Sequence, residues 1–340
     1  MNSNESITVI DFGTSKIRLA TFNKFLKKIY SQSAKIIPIN DDDENYFNLK
    51  EFIKKSEKNI SQHINNLIIL FDTKNLLTID ICYKKNLNDI YFIKKNYYEI
   101  ENEVLKFIEK NYPDNKIIDV VRSSLTLDGI EIDEFPNKKK VKSLLVELKI
   151  LCTNKKSHDD IINKFKSENL NVINLFFTSF LKSKYYSKQF EKDNILFFLD
   201  IGWEKSSLNI ILNEKLLYCK NIPIGGNHIT KDISKIFKID LQSAENLKLS
   251  FFETKEEFSF NSKNSTSNFN LIREINSKQI SIDTLKKVIL ARSEEIINLS
   301  FSEFELIKKI FKINTSKLIL MGDGSKLFNQ NHFHLENKFN

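Results

Sequence analysis

Glycine is scarce in this chain. Seven stand among 340 residues, where average usage would supply about 24. A chain under that pressure retains glycine best where a side chain is sterically impossible, at positive φ or against a ligand, so the surviving positions are informative in themselves. Cysteine is equally thin: Cys82, Cys152 and Cys219 lie far apart and form no C-x-x-C pair. That excludes a disulfide framework and a cysteine zinc site, and it points to a reduced, cytoplasmic setting. No apolar run approaches the ~18 residues needed to span a bilayer. The polar N-terminus runs straight into a β-like segment without the pattern of a signal peptide. These absences predict a soluble protein.

What is present is length, hydrophobicity and lysine. The 340 residues allow two or more domains, and 41% hydrophobic residues suffice for real cores. The net charge of +8 suits an acidic partner, but the basic residues are dispersed, as lysine overuse alone would produce. No basic and aromatic recognition motif points to nucleic acid.

"ITVIDF" and "KIRLATF" read as two short strands around a tight turn. A loop and an amphipathic helix follow, with Phe47, Leu49, Phe52 and Ile53 among its apolar positions. From about Asn65 to Thr153 the pattern becomes strand-rich, interrupted by a helix at "EIENEVLKFIEKNY". Another helix follows, with Ser157 as its expected N-cap. At Asn194 the opening theme returns: "NILFFLDIGWEKSSLNIIL" repeats the strand, Asp-apolar-Gly, turn, strand layout. Asp200 stands 200 − 11 = 189 positions after Asp11. That spacing predicts two similar halves. "HITKDISKIF" and "LQSAENLKLSFF" read as helices, residues 253–270 as a polar loop, and "IDTLKKVILARSEEIINLSFSEFELIKKIF" as one long helix or two in series. "KLILMGDGSKLF" closes with a strand and a glycine turn.

Six of the seven glycines fall in four turns: Gly13; Gly202; Gly225 with Gly226; and Gly322 with Gly324. Turns at strand ends present backbone N–H groups suited to phosphate oxygens. Thr14 and Ser15 would add hydroxyl donors beside Gly13, and Asp11 and Asp200 are placed to hold Mg2+ through water, one from each half. His228 reads as a cap or a surface residue. His332 and His334 lack the neighbours of a metal site.

These segments resemble the actin-like ATPases and, within them, the FtsA family of bacterial cell-division proteins. "IDFGTSKI" is similar to the family's first phosphate loop. The run from Asp200 to Asn227, which leads into "GGNHITKDI", is similar to its second phosphate strand and connecting segment. "SAENLK" resembles the helix whose Glu and Lys reach the ribose and adenine side. "TLKKVILARSEEI" resembles its arginine-bearing helix, and "LILMGDGSKL" its adenosine loop. "IDVVRSSLTLDGIEIDEFP" resembles a β segment of the small domain peculiar to FtsA.

The resemblance implies a two-lobed, duplicated ribonuclease-H-like α/β fold. Residues 1–64 and 154–190 would form the first lobe and 65–153 the inserted domain. Residues 191–227 and 308–340 would form the second lobe, and 228–307 its subdomain. ATP with Mg2+ would lie in the cleft. Gly13, Thr14, Ser15, Lys16, Gly202, Gly225, Gly226 and Asn227 would hold its phosphates. Glu245, Lys248, Arg292, Gly322, Gly324 and Ser325 would face the ribose and adenine. The implied role is a division-site scaffold: it would bind the FtsZ C-terminal tail, join it to the cytoplasmic membrane surface, meet other division proteins, and self-associate into filaments.

The second turn departs from the family's glycine-rich pattern, with Trp203, Glu204 and Lys205 where glycines and a threonine are usual. Binding with weak or no hydrolysis is therefore expected. A nucleotide-free scaffold and a PilM-like pilus-assembly role are the alternatives, and a phosphotransferase would need a base that is not in evidence. Residues 329–340 carry no amphipathic stripe, so the family's membrane helix is expected to be truncated or replaced.

Overall fold

A hairpin opens each half of the molecule. In the first, β1 (Ile7–Phe12) pairs antiparallel with β2 (Lys16–Phe22), which continues to β3 (Lys28–Lys35). On the other flank of β1 lie β4 (Asn66–Phe71) and β9 (Asn171–Phe177), both parallel additions, giving the order β3-β2-β1-β4-β9. In the second, β10 (Ile195–Ile201) pairs antiparallel with β11 (Ser206–Leu212), β11 with β12 (Lys215–Ile222), and β10 parallel with β13 (Ser316–Met321). The computed structural model describes residues 6–36, 47–136, 139–191, 194–253, 280–303, 306 and 316–328. The expected polar loop from residue 254 on, the residues at 308–315 and the tail from 329, with His332 and His334, lie outside the described residues.

The two halves agree in register. Asp11 is opposite Arg18 on one side and Leu70 on the other; Asp200 is opposite Ser207 and Met321. Every residue of β10 is buried, as its unbroken apolar run requires of a strand covered on both faces. Side chains alternate across a strand, and β10 uses this fully. Phe197 and Leu199 pack in the second half's core, with Ile229, Leu247 and Ile289. Leu196 and Phe198 pack with Ile10, Leu67 and Ile69 of the first. The halves thus share a core. Actin-like proteins have this α/β arrangement, and the fold here is theirs.

Inserted in the first half, between β4 and β9, is a separate sheet of β5 (Leu76–Phe92), β6 (Asn115–Leu127), β7 (Ile130–Glu131) and β8 (Lys139–Asn154), ordered β5-β8-β6-β7. Helix α2 (Lys94–Asn111) covers it with Tyr97, Ile100, Val104 and Ile108, a single stripe at helical spacing. These residues and Phe92, Leu125, Leu144 and Val146 make a core of their own. The inserted unit therefore starts at Leu76 and not at residue 65. The segment before it is β4, whose Ile68 and Ile69 pair with Val9 and Ile10 in the first half's sheet.

Helices complete both halves: α1 (Leu49–Ile60), α3 (Lys155–Lys166) and α4 (Thr178–Ser187) in the first, and α5 (Gly226–Phe237), α6 (Leu241–Glu253) and α7 (Ile282–Ser300) in the second. The cap of α3 is Asn154, whose side chain accepts from the Lys156 N–H, and not Ser157, which lies inside the first turn. No described helix is long and apolar enough to cross a membrane.

Candidate functional site

The two hairpin turns face one cleft and are built alike. The Gly13 N–H donates to the Lys16 carbonyl at 3.1 Å, and the Gly202 N–H to the Lys205 carbonyl at 2.9 Å. A Cβ on Gly13 would stand 2.8 Å from that Lys16 oxygen, so the turn itself excludes a side chain there. The second turn also caps α5: the Gly226 N–H donates to the Gly202 carbonyl at 2.9 Å and the Asn227 N–H to the Trp203 carbonyl at 2.8 Å. The Gly225 N–H donates to His228 Nδ1 at 3.1 Å. Gly13, Gly202, Gly225, Gly226 and Asn227 therefore spend their N–H groups within the chain. Among the described residues, no hydrogen bond uses the N–H groups of Thr14, Ser15, Trp203 or Glu204.

Charge fills the cleft between the turns. Asp11 accepts from Arg18 Nη1 at 3.1 Å and from the Thr178 hydroxyl at 3.2 Å. Arg18 Nη2 reaches Asp323 at 3.1 Å and so ties the first half to the second. Asp200, 7% exposed, is paired with Lys182 Nζ at 3.1 Å. Asp72, at the end of β4, accepts from the Ser179 hydroxyl at 2.9 Å and the Ser179 N–H at 3.3 Å. Lys205 is 7% exposed, lines the cleft, and its Nζ has no hydrogen-bond partner among the described residues. Burial pushes the Asp72 carboxyl up, against the pull of Lys205, and burial pulls the Lys205 ammonium down, against Asp72 and Asp200. Burial also opposes the charge of Lys182, but Asp200, Asp11 and Asp72 together raise its pKa.

On the far wall, Lys248 donates to the Gly226 carbonyl at 3.1 Å and the Thr230 hydroxyl at 2.8 Å, and it pairs with Glu245 at 2.6 Å. All three of its N–H bonds are used. Its ammonium also lies 4.8 Å from the centroid of the Trp203 ring. The tryptophan thus packs on a lysine at the mouth of α5.

Of the residues expected at a nucleotide, Asp11, Gly13, Thr14, Ser15, Lys16, Asp200, Gly202, Gly226, Glu245, Lys248, Gly322 and Gly324 line this one cleft. Gly225, Asn227, Arg292 and Ser325 are not among its lining residues. Ser325 donates its hydroxyl to the Gly322 carbonyl at 2.8 Å. Arg292 forks onto Asp232 of α5 through Nε and Nη2, at 2.7 and 3.1 Å, and Nη1 binds Glu295.

Sequence reasoning missed Arg18, Asp72, Thr178 and Lys182. The repeat carried a signal for one of them. Asp72 stands two residues past Leu70, the partner of Asp11, as Asp323 stands two past Met321, the partner of Asp200. Thr178 and Lys182 on α4 had none.

Asp11 and Asp200 were expected to hold Mg2+ through water. Each carboxylate already carries a protein cation. Among the described residues, no group of three or more His, Cys, Asp or Glu is placed to hold a metal.

Comparison with known proteins bears on the same elements. The profile of the Cell division protein FtsA family matches residues 197–329, from β10 to the last glycine turn. Cell division protein FtsA of Buchnera aphidicola subsp. Acyrthosiphon pisum is 26% identical over 189 residues, 54% of this chain and 44% of that protein. The FtsA of Streptococcus pneumoniae is 28% identical over 99 residues, 29% of this chain and 21% of that protein. Over these segments the chain is similar to FtsA. Its matches span less than half the length of these FtsA relatives. Among solved structures, the PilM-PilN type IV pilus biogenesis complex superposes with a TM-score of 0.57 at 15% identity, over 95% of this FtsA-like chain and 83% of that one. That likeness is one of fold.

Proposed function

We propose that this FtsA-like protein binds ATP in the cleft between its two halves and serves as a cell-division scaffold. In this reading it holds the FtsZ C-terminal tail, attaches it to the cytoplasmic face of the membrane at the division site, meets other division proteins, and self-associates into filaments. The observation that carries the nucleotide part is the first turn, where Thr14 and Ser15 line the cleft and no hydrogen bond among the described residues uses their N–H groups. Six Lys and Arg side chains against five Asp and Glu around that cleft give it a positive balance. A phosphate tail is the complement of both.

Hydrolysis would need a carboxylate free to orient water. Asp11 and Asp200 are held by Arg18 and Lys182, and Asp72 is pushed toward its protonated form by burial. Turnover is therefore slow or absent. The FtsZ tail would dock on the α5–α7 subdomain, whose exposed lysines suit an acidic peptide. The PilM-like alternative has the fold likeness in its favour and predicts capture of a different partner peptide.

The test is a calorimetric titration of ATP into the full chain in magnesium buffer, beside Thr14→Glu. Thr14 is exposed, so the new carboxylate leaves the fold intact and repels phosphate at the free N–H groups. A loss of tenfold or more in affinity is expected (about 1.4 kcal/mol). Immobilised FtsZ-tail and pilus-partner peptides then separate the two scaffolds by which one retains the chain. A cooperatively melting wild type that takes up no ATP in that buffer removes nucleotide from the function.

A further inference from the structure

We infer that the cleft binds the phosphate end of its ligand without a divalent cation, with the ammonium groups of Lys205 and Lys182 standing in the metal's place. The inference rests on the reading of the cleft as a phosphate site.

Lys205 is the first reason. A lysine that is 7% exposed and has no acceptor for its Nζ among the described residues keeps three charged N–H donors unsatisfied. A buried, unpaired donor of that kind is costly. It lines the cleft, so an anion entering there would supply what the chain withholds. Lys205 occupies in the second turn the place that Lys16 holds in the first, 189 positions earlier, and only the second is sealed away from water.

The carboxylates are the second reason. The three acids grouped around the cleft floor are Asp11, Asp72 and Asp200. Asp11 is bonded to Arg18, Asp200 is paired with Lys182, and Lys205 acts on both Asp72 and Asp200. Asp11 and Asp200 thus each meet a cation of the chain already. A divalent ion bound directly to these carboxylates would have to displace Lys182 from Asp200 and Arg18 Nη1 from Asp11, leaving Arg18 with Asp323 alone. A phosphate group asks for no such exchange. It can accept from Lys205 and from the Thr14 and Ser15 N–H groups while the existing pairs stay closed.

The deciding experiment repeats the ATP titration on the full chain in magnesium buffer and in EDTA, with sodium tripolyphosphate as a base-free probe. The affinity for ATP is expected to agree within about threefold between the two buffers. Tripolyphosphate in EDTA should raise the melting temperature. Lys205→Met keeps the length of the side chain and removes a buried unpaired charge, so it should melt at or above wild type. It should also lose at least about tenfold in ATP affinity in both buffers. Lys182→Gln, on a partly exposed side chain, should weaken binding in the same way and guards against a folding failure of the first variant. Binding that needs magnesium, or a well-folded Lys205→Met that binds ATP as wild type does, overturns the inference and leaves the nucleotide reading standing. A folded chain that binds in neither buffer overturns both.

Discussion

At Gly225 three backbone atoms of the second turn, the Gly202 and Trp203 carbonyl oxygens and the Lys205 nitrogen, would each lie 2.6 Å from an added Cβ. Nothing there can yield without moving the turn. Gly225→Ala should therefore cost about 1–3 kcal/mol, read as a lower urea midpoint with an unchanged slope. The same residue donates its N–H to His228 Nδ1, a bond that only the neutral ring can accept. Burial lowers the His228 pKa below its usual 6.5, with Lys231, Arg292 and Lys74 adding to it. As pH falls through 6.5, the unfolded chain takes up that proton before the folded one does. The contribution of His228 to stability is thus complete above pH 6.5 and fades below it, toward the folded-state pKa. The stability gap between wild type and His228→Ala should shrink from neutral pH to about pH 5, as urea midpoints at each pH would record. Scarce glycine made these positions legible in the sequence. The reason for them was not, because a steric demand by the chain's own backbone and one by a phosphate leave the same residue behind.

Among the elements, α7 and α5 are held together by a fork. Arg292 of α7 gives two parallel N–H bonds to Asp232 of α5. Both partners are about three-quarters buried. Arg292→Lys keeps the charge and loses the fork, so it should cost about 0.5–1.5 kcal/mol in thermal or urea unfolding. ATP affinity should stay within twofold of wild type. A loss of affinity with unchanged stability would instead place Arg292 at the ligand, as its resemblance to the family's arginine implied.

The apolar helices α2 and α5 were readable from their stripes. Helix α4 was not, for a physical reason: its buried face carries Thr178, Ser179, Ser183 and Ser187 beside the single Phe180. That stripe has helical spacing but no hydrophobic contrast. Its purpose is close approach. The Ser183 hydroxyl accepts from Asn209 Nδ2 of β11 at 3.1 Å and donates to the Ser179 carbonyl at 2.7 Å. Ser183→Leu should overpack this contact and cost about 1–3 kcal/mol, seen as a lower melting temperature.

At the scale of the molecule, the inserted sheet has its own core and the two halves have one in common. Truncations should report that difference. Phe198→Ala, in the shared core, should cost about 3–5 kcal/mol and speed amide exchange in β1–β4 and β10–β13 together. Leu144→Ala, in the inserted core, should cost about 2–4 kcal/mol and confine the faster exchange to residues 76–154. The duplication behind this plan was visible in "DFGTSK" and "DIGWEK" at a spacing of 189. The common core was not, since alternation along β10 says that both faces are apolar but not which neighbour each one meets.

That strand has a mechanical meaning. With Phe197 and Leu199 set into one compartment and Leu196 and Phe198 into the other, β10 is the pin of a nutcracker. Sliding the jaws past each other would shear both compartments at once, whereas a swing about the strand would not. Travel is then smallest beside β10 and grows with distance from it. The latch that Arg18 makes with Asp323 joins the two jaws across the gap, where a swing stretches it directly. Its exposed ion pair is weak, so it registers the opening of the jaws and offers little resistance to it.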